Sequence, residues 1–394
     1  MTQVRVILFS LFCVTQAFAS PIFPGCETKS YPPDKSMVVP KYIINLDLPP
    51  KERWRSLISE KKNQMAAIID EVKNLTVTLL GEKTFSIINN SLPKLAATLP
   101  APYYDEFIGI SESSGLLLSE VTLYNIFYEI FTFCTSMIVQ DPQGKIYHGR
   151  NLDFGLFMGW DSKNHTWRVA ELLRPLVIHL EWQQKGQTIY ESINYAGYVG
   201  ILTAVKKDHF TFSLDERFGL NGGYVGLLEW ILFHDHKQKW VAFLTREVME
   251  TANSYEEAEK QLSNPRLLAP VYFILGGTKP GQGVIITRYR DTYNSFPLGS
   301  KSKGQASWFL VETNYDHWKQ PPFYDDRRTP AVQCLQEKGQ ESLSNRNASL
   351  SLIYNVLSTR PVLNKLTTYT ALMDVSGGYI EAWLRSCPDP CWPW

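Results

Sequence analysis

FTFCTSMIVQDPQGKIYHGRNLDFG, Phe131 to Gly155, reads as a β-hairpin. CTSMIVQ alternates in polarity, and KIYHGRNLDFG returns with the same period. Between them Asp141-Pro142-Gln143-Gly144 puts Asp first, Pro second and Gly fourth, the preference of a type I turn. Cys134 therefore stands at the start of the first strand, flanked by small hydroxyl residues. It has three readings: half of a disulfide, a small buried hydrophobe, or a nucleophile.

The remaining cysteines narrow the choice. Residues 1–19 carry Arg5, an apolar run from Val6 to Val14, and Ala17-Phe18-Ala19, which reads as a secretory signal cut after Ala19 or Ser20. Cys13 leaves with it. Cys26, Cys134, Cys334, Cys387 and Cys391 stay, an odd number in an oxidising compartment, so one thiol stays free or pairs between chains. Cys387-Pro-Asp-Pro-Cys391 is a short loop suited to a local disulfide and lacks the zinc-ribbon spacing. Cys26 and Cys334 form the next natural pair, which leaves Cys134. Four sequons, at Asn74, Asn89, Asn164 and Asn347, point to the same compartment and to a glycoprotein.

The composition is globular, with 44% hydrophobic and 20% charged residues and zero formal net charge, which argues against a nucleic-acid partner. No repeat, low-complexity run or uninterrupted membrane-length apolar segment occurs; Leu116–Phe133 is broken by Glu120, Asn125 and Glu129. From Pro49 to Phe133 the pattern is mostly helical, with Trp54, Leu57, Ile58, Met65, Ile68, Ile69 and Val72 at helical spacing. After Phe133 strands dominate: WRVAELLRPLVIHLEW, TIYESINYAGYVGILTAV, HFTFSLDERF, PVYFILGG, GVIITRYR and SWFLVETNY. Two helical stretches interrupt them, GYVGLLEWILFHDHKQKWVAFLTREVMETA and SYEEAEKQL, the latter opening with a capping box of Ser254 and Glu257. This predicts an α+β fold, layered αββα, behind a helical N-terminal segment.

No G-x-S-x-G elbow, H-E-x-x-H, phosphate loop or dinucleotide fingerprint occurs. His234-Asp-His236 has metal-ligand residue types, but a solvated loop accounts for it better, and no cofactor or metal is expected. A cysteine nucleophile needs a base. His148 on the return strand is one candidate, with a structural histidine as the equal alternative. The cysteine's own α-amine is another: cutting Phe133–Cys134 places an amine of pKa about 8 within one residue of the thiol.

The stretch from Cys134 to Phe154 resembles the start of the catalytic chain in the acid ceramidase and N-acylethanolamine acid amidase family of N-terminal-nucleophile hydrolases. The likeness continues through YPP, INLDLPP, AGYVGILTA, LDERFGLNGGYVGLLEWIL, LLAPVYFILGG, TNYDHWK, DDRRTP, VLSTRPVLNKLT and the CPDPC tail. It implies the four-layer αββα fold, a helical subunit over 20–133 that covers the site until cleavage, and a catalytic subunit over 134–394. It implies self-cleavage at Phe133–Cys134, making Cys134 the nucleophile. Arg150 then favours the thiolate, Asp153 holds the new α-amine, and Asn314 supplies an oxyanion donor. Arg327 supports the site electrostatically, and Glu216 lies near the cleavage point.

The resemblance further implies a lipid amide substrate. GLFMGWDSKNHTWRVAEL, ERFGLNGGYVGLLEWIL and CPDPC favour ceramide, giving sphingosine and a fatty acid, over an N-acylethanolamine. A catalytically silent secreted lipid-binding protein on the same fold is the reading from another class, and a papain-type protease fails for want of a cysteine–histidine context. A lysosomal address with a secreted fraction, a saposin-type lipid activator and a membrane surface follow from the resemblance. So does a role for the Cys26–Cys334 pair in tying the two subunits together.

Overall fold

The computed structural model describes residues 21–127, 132–154, 159–217, 230, 238–300 and 306–393. The signal segment 1–19, His234 and His236, and most of the stretch 218–237 lie outside these residues. Two sheets form the centre. The smaller is built on the expected hairpin, β2 (Thr132–Gln140) and β3 (Ile146–Phe154), with the turn closed by the Gly144 N–H donating to the Asp141 carbonyl at 3.0 Å. It adds β13 (Phe309–Glu312) beside β2, and β14 (Thr367–Asp374) and β15 (Tyr379–Leu384) beyond β3.

The larger sheet has eight strands in the order β1 (Lys41–Asn45), β6 (Val177–Gln184), β7 (Gln187–Tyr195), β8 (Thr203–Lys206), β9 (Phe210–Glu216), β10 (Val271–Gly277), β11 (Gly283–Arg288) and β12 (Tyr293–Pro297). All pairings are antiparallel except β1 with β6. A short ribbon, β4 (Trp160–Asp161) with β5 (Thr166–Trp167), stands apart.

Nine helices flank these sheets: α1 (Arg55–Leu80), α2 (Glu82–Ala96), α3 (Tyr103–Ser114), α4 (Leu118–Phe127), α5 (Arg168–Leu173), α6 (Val241–Thr251), α7 (Tyr255–Ser263), α8 (Arg328–Lys338) and α9 (Arg346–Ser358) among the described residues. Helices α6 and α7 cover the larger sheet, and α8 and α9 cover the smaller. The sheets face each other, which gives the αββα layering. Strands enclosed on both faces lose their alternation, so VYFILGG in β10 is buried throughout. Gly149 of β3 lets α9 come close: a Cβ there would lie 2.3 Å from Ile353 Cγ2.

The apolar residues expected at helical spacing in α1 are buried, from Trp54 through Val72. Two elements differ from the sequence reading. WRVAELLRPLVIHLEW is a strand only in its second half; α5 and a 3-10 turn occupy Arg168–Leu176, where Pro175 has no N–H for a ladder. The N-terminal segment is not wholly helical either, because β1 joins the edge of the larger sheet.

Candidate active site

Among the described residues Cys134 is the one free cysteine; Cys26 is bonded to Cys334 and Cys387 to Cys391. Period-two geometry on β2 and β3 divides the site between two faces. Cys134 and Ser136, with His148 and Arg150, face the larger sheet. Thr135, Asn151 and Asp153 face the helix layer.

On the inter-sheet face Arg150 is fully buried and its Nη2 lies 2.6 Å from Cys134 Sγ. Its Nη1 donates to the Leu202 carbonyl at 2.8 Å and to Thr203 Oγ1 at 3.0 Å, which aims the guanidinium. Burial pushes the Cys134 thiol well up; Arg150 pulls it down, and Asp215 and Asp153 push it further up. Burial and the two carboxylates thus oppose ionisation of the thiol, and Arg150 favours it.

The other face is organised by Arg327, at the N-cap of α8. Its guanidinium is fully buried and held by Asp325 through Nε at 2.8 Å and Nη2 at 3.0 Å. Nη1 donates to the Cys134 carbonyl at 2.6 Å and approaches Asp153 Oδ2 at 3.3 Å, while Nη2 donates to Asn314 Oδ1 at 2.7 Å. Asp153 lies opposite Phe133 in the ladder, next to the bond expected to break. Its Oδ2 also accepts from Asn364 Nδ2 at 2.9 Å, whereas Oδ1 is buried without a hydrogen-bond partner. Burial raises the Asp153 carboxyl against the pull of Arg327. A buried acceptor beside the scissile bond is suited to a new ammonium group.

Asn314 joins the two halves of the site through its side-chain amide. Its Oδ1 accepts from the Cys134 N–H at 2.8 Å as well as from Arg327, and those two donors fix the amide orientation. Nδ2 then donates to the Glu216 carbonyl at 2.7 Å. One of the two Nδ2 protons is engaged by this carbonyl in the uncut chain, and an amide nitrogen has a second to offer an oxyanion. Glu216 enters the site through this main-chain oxygen. The structure brings Cys134, Arg150, Asp153, Asn314 and Arg327 together, with Glu216 at the margin.

His148 is separate from the thiol chemistry. Its ring nitrogens meet Thr211 Oγ1 at 3.1 Å and Ser213 Oγ at 2.9 Å, and burial lowers its pKa to about 3, with Arg150 adding to the effect. Three residues escaped the sequence reading: Asp215, Asp325 and Asn364. Asp215 lies beside Glu216 in LDERF, and Asp325 beside the Arg pair in DDRRTP, so adjacency was the available signal. Asn364 lies within VLSTRPVLNKLT, whose family likeness was its only signal. Among the described residues no group of three His, Cys, Asp or Glu is placed to hold a metal, and no helix is long and apolar enough to cross a membrane.

Comparison with known proteins places this geometry in context. Residues 134–381 match the family described as linear amide C-N hydrolases, choloylglycine hydrolase family, so the match begins at Cys134. Residues 38–99 match the family described as the beta subunit of N-acylethanolamine-hydrolyzing acid amidase. Acid ceramidase of Heterocephalus glaber is 45% identical over 97% of this chain and 96% of its own length. That of Homo sapiens is 44% identical over the same shares, 97% and 96%. The solved structure of a Caenorhabditis elegans N-acylethanolamine-hydrolyzing acid amidase ortholog is similar with a TM-score of 0.51 and 32% identity, covering 64% of this chain and all of that one.

Proposed function

This chain belongs to the acid ceramidase family within the linear amide C–N hydrolases, and on that premise we propose that it hydrolyses the amide of ceramide to sphingosine and a free fatty acid after cutting itself before Cys134. The observation that carries this reading is the unpaired Cys134, with Arg150 Nη2 2.6 Å from its sulfur, at the residue where the family match begins.

The first step is attack of Cys134 Sγ on the Phe133 carbonyl carbon. The C–N bond breaks, the nitrogen takes up a proton, and an acyl thioester forms. Water hydrolyses the thioester, leaving a Phe133 carboxylate, a free thiol and a Cys134 α-amine. Asp153 Oδ1 is the acceptor for that amine. In turnover the thiolate, paired with Arg150, attacks the lipid amide carbonyl, and the α-amine protonates the departing amine. Water then releases the fatty acid from sulfur. An asparagine donor at the oxyanion contributes about 3 kcal/mol in such sites.

Two disulfides suit an oxidising compartment. They support a secretory route to the lysosome with a secreted fraction, and two subunits, 20–133 and 134–394, joined through Cys26–Cys334. Asn74, Asn164 and Asn347 are exposed, as sugar carriers must be, while Asn89 is half-buried. A saposin-type activator at a membrane surface completes the reading. N-acylethanolamines are the alternative substrate, supported by the amidase relatives.

The test is intact mass after acid incubation of the purified chain, with and without reductant, on wild type and Cys134→Ala, followed by ceramide and N-acylethanolamine assays. Fragments that separate only on reduction, one starting at Cys134 and absent from the variant, together with sphingosine release, support the proposal. A chain that never cuts, or cuts without releasing sphingosine, overturns it.

A further inference from the structure

We propose that Asp215 is a positioning residue for the nucleophile: its carboxyl shares the Arg150 guanidinium with Cys134 and so sets how much of that cation the sulfur receives. This rests on the reading of Cys134 as nucleophile and extends it to a residue without a role so far.

One Arg150 nitrogen serves both partners. Nη2 lies 2.6 Å from Cys134 Sγ and 3.6 Å from Asp215 Oδ1. Nη1 is tied to Leu202 and Thr203, so the guanidinium cannot turn away to a third acceptor. Arg150 and Asp215 are both fully buried, where charges act with little screening. Asp215 Oδ2 and Arg150 Nε are buried without hydrogen-bond partners, so the carboxyl and the cation are incompletely matched to each other.

Asp215 is also held from behind. Ser136 Oγ donates to Oδ1 at 2.7 Å, Ser213 Oγ donates to Ser136 at 2.9 Å, and His148 Nε2 meets Ser213 at 2.9 Å. Each serine has one proton, so Ser213 accepts from His148, and neutral His148 carries its proton on Nε2. The donors all run toward Oδ1, leaving Oδ2 as the oxygen that takes up a proton.

The groups facing Asp215 come from every neighbouring element. They are Cys134 and Ser136 on β2, His148 and Arg150 on β3, Glu312 on β13 and Tyr369 on β14, while Asp153 and Arg327 act on it electrostatically from the far side of the smaller sheet. Burial raises the Asp215 carboxyl to about 7, with Arg150 pulling it down. Below that pH Asp215 is neutral and Arg150 is left to the sulfur. Above it the carboxylate takes part of the cation, and the thiol is harder to ionise.

The test is the pH profile of self-cleavage, followed by intact mass, in wild type, Asp215→Asn and Ser136→Ala. Self-cleavage needs no lipid and precedes the free α-amine, so that group adds no limb to the profile. Asp215→Asn mimics the neutral carboxyl. Its rate relative to wild type is expected to rise from near one at pH 5 to about tenfold at pH 8, the effect of one pKa unit on the thiol. Ser136→Ala removes a bond that favours the carboxylate and is expected to shift the limb to higher pH, which keeps the test available if the first variant fails to fold. A ratio constant with pH, or an unmoved limb in Ser136→Ala, overturns the role of Asp215 alone. Wild type that never cleaves overturns the nucleophile reading and this one with it.

Discussion

Arg327 ties together groups that must agree in position, Asp325, Asp153, Asn314, Thr135 Oγ1 and the Cys134 carbonyl among them. A planar fork can do this and an ammonium cannot, so Arg327→Lys keeps the charge and loses the geometry. Self-cleavage is expected to fall roughly 100-fold, about 3 kcal/mol, read by intact mass over time. A second prediction concerns stability. Asp215 is raised from 3.8 to about 7, so its contribution is present below pH 4 and is lost as pH rises toward 7. His148 is lowered from 6.5 to about 3, so its contribution is lost as pH falls from 6.5 toward 3. Between pH 4 and 6.5 the two oppose each other and nearly cancel. Relative to wild type, Asp215→Asn should lose stability with acid by about 1.4 kcal/mol per pH unit. On the same measure His148→Gln should gain stability with acid by a similar amount, and calorimetry of the three proteins across pH 4–6.5 separates the two differences.

At the scale of elements, β3 joins the site to the core. His148 and Arg150 point to the larger sheet, and Gly149 between them admits α9 on the other side. Gly149→Ala forces a methyl group into Ile353, costing roughly 1–3 kcal/mol and moving the strand that carries Arg150. Both a lower Tm and slower self-cleavage are expected, and a normal cleavage rate in a destabilised variant would refute the coupling. The hairpin beneath it was legible from alternation and from Asp141-Pro142-Gln143-Gly144, because both are local. β1 was not: KYIIN is five residues whose partner, β6, begins far along the chain and runs parallel to it. The helix α5 was masked by the strand character of the residues that follow it.

Across the whole molecule, residues 21–127 are bound to the rest by more than a disulfide. Glu106 of α3 is fully buried and receives both Arg246 terminal nitrogens from α6, at 2.5 and 2.7 Å, with Arg53 at 2.9 Å and Trp54 Nε1 at 2.8 Å. The Arg246 guanidinium also lies over the Trp182 ring at 4.6 Å. Together with β1 this predicts that the cut protein stays associated when Cys26–Cys334 is reduced without denaturant, as seen by size exclusion. Glu106→Ala leaves buried Arg246 with Glu250 as its remaining carboxylate, at a cost of about 3 kcal/mol, and the reduced fragments should then part.

Periodicity, turn chemistry and cysteine arithmetic are properties of neighbours in the chain. For that reason the hairpin, the α1 face from Trp54 to Val72 and the isolation of Cys134 could be read directly. The family likeness reached Arg150, Asp153, Asn314 and Arg327 because each sits in a recognisable motif. Asp215, Asp325 and Asn364 lie in such motifs too, LDERF, DDRRTP and VLSTRPVLNKLT, but the likeness attaches no role to them. A buried carboxylate or amide acquires its meaning from what it faces, and here those partners lie across a sheet interface or on a different layer. Ser136 meets Asp215 over a separation of 79 residues and Asn364 meets Asp153 over 211, distances at which spacing carries no information and only packing brings the groups together.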